Sequence, residues 1–143
     1  MCGIVGYIGN KPVYDILING LKKLEYRGYD SSGIMIYNQK ALVKKAKGKV
    51  SDLEKLFVNS ADKQGHIGIG HTRWATHGPP NQINSHPHTS NSGEITLVHN
   101  GIIENYDSIK KILTQKGYVF HSDTDSEVLV NLIEDIKKTK NVK

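Results

Sequence analysis

The sequence predicts an α+β fold with antiparallel pairing, on three observations. Short β-branched or aromatic runs bounded by Gly or Asn recur along the chain, apolar residues recur at helical spacing between them, and neighbouring runs from Gly33 to Ala46 lie close enough for a hairpin. Ile4 to Ile8 reads as the first strand. Pro12 suits a first helical turn, and Val13, Leu17, Leu21 and Leu24 follow at three- and four-residue spacing, predicting an amphipathic helix that ends before Gly28. Gly33 to Tyr37 and Ala41 to Ala46 are the next strands. Ser51-x-x-Glu54 is a capping-box pattern opening a short helix that carries Leu53, Leu56 and Phe57. After a strand at Ile67 to Thr72, the region from Thr72 to Glu94 has Pro, Asn, Ser, Thr and His but no usable periodicity, the mark of a functional or disordered loop. Ile95 to His99 is a strand, Tyr106 to Lys116 a helix stopped at Gly117, and Tyr118 to His121 a further strand. Thr124-x-x-Glu127 caps the last helix, whose apolar positions are Val128, Leu129, Leu132, Ile133 and Ile136.

At 143 residues the chain fits one globular domain, and 37% hydrophobic content permits a core. No run approaches the roughly 20 apolar residues that span a bilayer, and Met1-Cys2-Gly3-Ile4 lacks the basic start of a secretion signal, so a cytoplasmic protein is expected. A single cysteine removes disulfide scaffolds and zinc ribbons. The net charge of +5 suggests nucleic acid until it is located. Nine lysines fall in two acid-free stretches, Lys40 to Lys49 and Lys137 to Lys143, with neither arginine forks nor interleaved aromatics, which argues against nucleic-acid binding. Of 19 basic residues only Arg27 and Arg73 are arginines, and both sit in Gly-rich polar segments, where a planar bidentate fork has a use.

Cys2 is either a small hydrophobe at a strand start or a nucleophile. Removal of Met1 would give it a free α-amine, whose ordinary pKa of roughly 7.7 to 8.0 suits a base beside a thiol. While Met1 remains, the Cys2 nitrogen is an amide without a basic lone pair, and such a chain is expected to be inactive. Arg73 heads Arg73-Trp74-Ala75-Thr76-His77-Gly78 and is either a surface residue beside a core tryptophan or a clamp for a small carboxylate, with the Thr76 hydroxyl as a further donor. Asn100-Gly101 is either a tight hairpin turn or a side-chain amide next to a backbone N–H, the parts of an oxyanion hole. Asp123 reads as helix capping; Asp125 reads as capping or as a partner for a substrate ammonium. His66, His71, His77, His86 and His88 crowd one region, and His86 and His88 would share a strand face. Without a Cys pair or H-E-x-x-H pattern, no metal site is expected.

These pieces occur as ordered motifs: Cys2-Gly3-Ile4-Val5-Gly6, Tyr26-Arg27-Gly28-Tyr29-Asp30-Ser31-Ser32-Gly33, His71-Thr72-Arg73-Trp74-Ala75-Thr76-His77-Gly78, Asn84-Ser85-His86-Pro87-His88, Val98-His99-Asn100-Gly101 and Ser122-Asp123-Thr124-Asp125-Ser126-Glu127. From residue 2 to about residue 136 the chain thereby resembles the N-terminal glutaminase domain of the glutamine–fructose-6-phosphate aminotransferase family. The resemblance implies the N-terminal-nucleophile hydrolase fold, an αββα sandwich of stacked antiparallel sheets, here incomplete at its C-terminal side. It implies a partial glutaminase domain over residues 1–143, acting on L-glutamine without a cofactor. In the implied site Cys2 attacks the glutamine amide, Asn100 and Gly101 form the oxyanion hole, and Arg73, helped by Thr76 and His77, binds the α-carboxylate. Asp125 and Gly101 hold the α-amino group, Trp74 belongs to the loop that closes over substrate, and Arg27 helps order the site. The implied partners are the C-terminal isomerase domain with its fructose 6-phosphate site and further copies in a homo-oligomer. The glutaminase halves of amidophosphoribosyltransferase and asparagine synthetase share Cys-Gly-Ile and an Arg-Gly motif, but Tyr29 and Trp74-Ala75-Thr76-His77 favour the hexosamine enzyme. Missing strands would leave sheet edges unpaired, so the chain alone is expected to be unstable or to self-associate. A basic or metal-binding module is the reading outside this class.

Overall fold

A computed structural model describes residues 2–74 and 81–141. Its elements are β1 (Gly3–Ile8), α1 (Val13–Leu24), a 3₁₀ turn (Glu25–Arg27), β2 (Ser31–Asn38), β3 (Lys40–Lys47), α2 (Val50–Glu54), a 3₁₀ turn (Ser60–Lys63), β4 (Ile67–Arg73), β5 (His88–Thr89), β6 (Thr96–Leu97), α3 (Tyr106–Gln115) and α4 (Asp125–Thr139). The first four strands form one antiparallel sheet in the order β1-β4-β2-β3, and β5 pairs with β6 in a second. Helices α1 and α2 cover one side of the larger sheet, while α3 packs on α4 and α4 on the smaller sheet. The α+β architecture with antiparallel pairing is as expected.

The α1 spacing works as the sequence suggests. Val13, Leu17, Ile18 and Leu21 are buried against Ile34 and Ile36 of β2, with Leu53 and Phe57 closing the end of this core. Fully burying a leucine is worth about 2 kcal/mol, so this seam holds α1 to the sheet without strong intrinsic helix propensity. The opposite face of the sheet is partly uncovered: Ile4, Ile8, Ile67 and Tyr37 are exposed there.

Five local expectations are corrected. Residues 118–121 are not a strand. The turn after α3 closes as Tyr118 and Gly117 donate to the Leu113 and Thr114 carbonyls, and the Asn91 side chain then bonds both the N–H and C=O of Val119, standing in for a neighbouring strand. The strand at 95–99 shrinks to Thr96–Leu97. Ser51 does not cap α2, which starts at Val50; Asp52 accepts from the Lys49 N–H, and Glu25 reaches across to accept from the Val50 N–H at 2.7 Å. That helix also ends at Glu54, before Leu56 and Phe57. Thr124 does cap α4, accepting from the Glu127 N–H, but Glu127 itself takes the His121 and Ser122 N–H groups and the Ser122 hydroxyl.

Candidate active site

Register brings the two ends of the first motifs together. Gly3 of β1 pairs with Thr72 of β4, and the Gly3 N–H donates to the Thr72 hydroxyl at 3.1 Å. Cys2 therefore lies beside the residues that leave β4. Its Sγ accepts from the Trp74 N–H at 3.2 Å and donates to the Trp74 carbonyl at 3.5 Å, so one peptide segment fixes the thiol. Cys2 is half-buried.

Trp74 is placed in turn by Gly28. That glycine has φ +89° and ψ 146°, a conformation close to glycine-only, and a Cβ there would lie 2.8 Å from the Trp74 ring. The 3₁₀ turn carrying Arg27 thus delivers a bare backbone surface on which the indole rests. Arg27 itself is exposed and does not line the cavity described below.

Successive β4 residues face opposite ways. Thr72 meets Gly3 and the α1 side; His71 and Arg73 point to the other face, opposite Gly33 and Ser31 of β2. Arg73 is buried, with its guanidinium 3.8 Å from the Asp30 carboxylate, and its carbonyl accepts from the Asp30 N–H at 2.8 Å. The approach to this face depends on Gly33: a Cβ there would overlap the His86 carbonyl, so the 84–88 segment lies flat on the sheet. His71 stacks on His86 at 4.2 Å between ring centroids, and His86 meets His88 edge-on at 4.7 Å. His88 Nε2 is 2.9 Å from the Thr124 hydroxyl, which ties this imidazole ladder to the start of α4.

Burial pushes these histidines far below the ordinary range, His71 to about 4, His88 to about 3 and His86 lower still, with Arg73 and the other imidazoles adding to the effect. They are neutral near pH 7. Burial likewise lowers Lys45 to about 8, against the pull of Glu127; its ammonium donates to the Ile83 and Ser85 carbonyls and holds down the turn before His86. Among the described residues no group of three His, Cys, Asp or Glu is disposed to hold a metal ion.

The remaining wall comes from the 99–103 segment and α4. Asn100 Oδ1 lies 2.6 Å from His71 Nε2. Neither Asn100 nor Gly101 has positive φ, which a two-residue type I′ hairpin would need at both central positions, and no described strand follows to complete a hairpin. Asp125 is buried at the first position of α4 and accepts from the Ile103 N–H at 2.7 Å. These parts enclose a cavity of about 320 Å³ lined by Cys2, Arg73, Trp74, Asn100, Gly101 and Asp125, with His86, His99, Ile102, Thr124 and Ser126 completing it. That is the lower end of the size of small-molecule sites. One wall carries a guanidinium, another a carboxylate, and a thiol and an amide lie with them: the lining matches a small zwitterion with a further electrophilic carbonyl.

Of the residues singled out in the sequence, the cavity gathers Cys2, Arg73, Trp74, Asn100, Gly101 and Asp125. Thr76 and His77 lie outside the described residues. Sequence reasoning gave no site role to Asp30, His71 and His99. An acid two residues after Gly28 and a histidine on the alternating face of a strand were the available signals, but each gains meaning only from the register that sets it beside Arg73 or Asn100.

A sequence profile described as "Glutamine amidotransferase domain" matches residues 48–141. The chain is 60% identical over 144 aligned residues to a glutamine–fructose-6-phosphate aminotransferase (isomerizing) from Bacteroides thetaiotaomicron, and 55% identical over 136 to one from Pyrococcus horikoshii. Those alignments cover 99% and 94% of this chain but 23% of each relative, so the chain spans about a quarter of their length. Among solved structures it is similar to a glutamine phosphoribosylpyrophosphate amidotransferase from B. subtilis, complexed with ADP and GMP, with TM-score 0.76 and 28% identity over 94% of this chain and 29% of that one. A structure described as the allosteric regulatory enzyme of purine biosynthesis gives TM-score 0.77 at 29% identity, with the same coverage. These neighbours bear out the N-terminal-nucleophile fold.

Proposed function

The chain belongs to the glutamine amidotransferase domain family, and from that membership we propose that it hydrolyses L-glutamine to glutamate and ammonia through a thioester on Cys2. The observation that carries the reading is the meeting of Cys2, Arg73, Asn100 and Asp125, far apart in sequence, in one cavity. Once Met1 is removed, the Cys2 α-amine takes the thiol proton as the sulfur attacks the side-chain amide carbon. The tetrahedral oxyanion is held by the Asn100 side-chain amide and the Gly101 N–H. Collapse breaks the C–N bond, the amine hands its proton to the leaving nitrogen, and ammonia departs. Water then attacks the γ-glutamyl thioester and frees glutamate and the thiol.

Binding divides between two charges. Arg73 takes the α-carboxylate, with Thr76 and His77 assisting, and Asp125 with Gly101 takes the α-ammonium. Trp74 covers the bound substrate. Arg27 helps order the site from the turn that seats Trp74 on Gly28. No cofactor enters any step.

The identities of 60% and 55% to hexosamine-type relatives, against 28% to the phosphoribosyl enzyme, favour the former as the parent type. We read residues 1–143 as part of the glutaminase domain of a longer protein, a homo-oligomer whose C-terminal isomerase domain uses the ammonia to convert fructose 6-phosphate to glucosamine 6-phosphate. No described helix is long and apolar enough to cross a membrane.

The test is to treat the Met1-free protein with a glutamine-analogue diazoketone and map the adduct by mass spectrometry. Labelling at Cys2 that glutamine blocks is expected. Labelling elsewhere, or glutaminase activity that survives Cys2→Ala, would sink the reading.

A further inference from the structure

We propose that His71 is the positioning residue of the oxyanion hole: by donating from Nε2 to Asn100 Oδ1, it turns the Asn100 amide nitrogen into the cavity. The inference deepens the glutaminase reading above and rests on it. A carboxamide has two faces of similar shape, and only one orientation gives a developing oxyanion a donor; the other presents a second oxygen and repels it. Nothing in Asn100 itself chooses between them.

The choice is made behind it. His71 is 1% exposed, clamped in β4 between Ile4 and Gly33 and stacked on His86, so its ring cannot swing away. Its Nε2 lies 2.6 Å from Asn100 Oδ1, short for an N–H···O bond. Its Nδ1 has no hydrogen-bond partner among the described residues. A buried imidazole with one nitrogen against a carbonyl oxygen and the other unpartnered keeps its single proton on the first, because an orphaned N–H is rarer and costlier than an orphaned lone pair. Burial keeps the imidazole neutral against the opposing effect of its bond to Asn100, so the ring carries a single proton through the physiological range. The ladder His71–His86–His88–Thr124 thus reaches one more residue, to the catalytic amide.

The experiment is a double-mutant cycle in the full-length, Met1-free protein, read as kcat and KM for glutamine hydrolysis. His71→Leu is expected to lower kcat by about 10- to 100-fold with KM little changed, bounded by the roughly 10²- to 10³-fold cost of removing one oxyanion donor. His71→Gln, which keeps an N–H near the Nε2 position, is expected to recover most of that loss. In an Asn100→Ala background His71→Leu should change kcat by less than about twofold, because the group it orients is gone. Equal losses in both backgrounds, or a KM effect without a kcat effect, would overturn the proposal. If the variants do not fold, ¹⁵N NMR of the parent decides: His71 protonated on Nε2 supports the assignment and Nδ1 protonation refutes it. Loss of the Cys2 requirement would instead sink the glutaminase reading, so the two failures are distinguishable.

Discussion

Mild acid should loosen this protein. His71, His86 and His88 are neutral when folded, because burial withholds solvent from their charged forms; unfolded, each recovers an ordinary pKa near 6.5. Unfolding therefore takes up protons as the pH drops below about 6.5, and stability falls in that direction until the folded pKa values near 4 and below are reached. Between pH 7.5 and pH 5.5 each of the three groups contributes a loss of about 1.3 kcal/mol, or about 4 kcal/mol together. Against a typical stability of about 5–15 kcal/mol that is a large fraction. Lys45, lowered to about 8, makes its change above pH 7.5. Burial alone would raise the Glu134 carboxyl, but hydrogen bonds from Lys138, Ser90 and Ser92 outweigh it and hold it at about 2, so its contribution is lost only below about pH 4.5. Melts of the full-length protein by circular dichroism should show Tm falling by on the order of 10 °C from pH 7.5 to pH 5.5. Replacing His86 by Gln should flatten the slope by about a third. A Tm independent of pH across this interval would refute the claim that the ladder is buried and neutral.

Two further outcomes test the geometry around Cys2. Gly28→Ala should cost about 1–3 kcal/mol for the strained backbone and push the Trp74 ring off its seat; because Trp74 is the sole tryptophan of residues 1–143, a shifted emission spectrum of this chain together with slower diazoketone labelling of Cys2 is expected, and an unchanged spectrum would break the link from Gly28 to the thiol. Arg73→Lys should raise the glutamine KM by roughly 10- to 100-fold, the value of about 1.5–3 kcal/mol for a charge-assisted contact, with a smaller change in kcat; an unchanged KM in steady-state assays would remove Arg73 from carboxylate binding.

The legible part of the fold was the part governed by spacing. Val13, Leu17 and Leu21 announce α1, the runs on either side of Gln39 announce the β2–β3 hairpin, and Thr124 announces α4, because each element's own residues decide it. The misread elements were decided from elsewhere. Glu25 caps α2 from 25 residues away, and Asn91 captures Val119 from 28 residues away, so local preference at Ser51 or Tyr118 had no vote. The site divides the same way. Cys2 and Arg73 stand out as the single thiol and one of two arginines, whereas Asp30 and His71 are ordinary residues until the sheet register sets them in place.

That register explains why so much of the cavity comes from one strand. β4 is central, flanked by β1 and β2, and its last residues divide their duties by the two-residue alternation of a pleated strand. Thr72 faces β1 and receives the Gly3 N–H, which locates the thiol; His71 and Arg73 face the cavity side, one behind Asn100 and the other beside Asp30. A one-residue slip of β4 would exchange these faces, burying a guanidinium under α1 and sending a threonine hydroxyl to the cavity. The core prevents it, because Gly68 and Gly70 are the β4 residues that lie beneath Leu17 and Leu21, and a slip would drive the side chains of Ile67 and Ile69 into α1. The packing of α1 thereby sets the placement of Cys2, Arg73 and His71 at once.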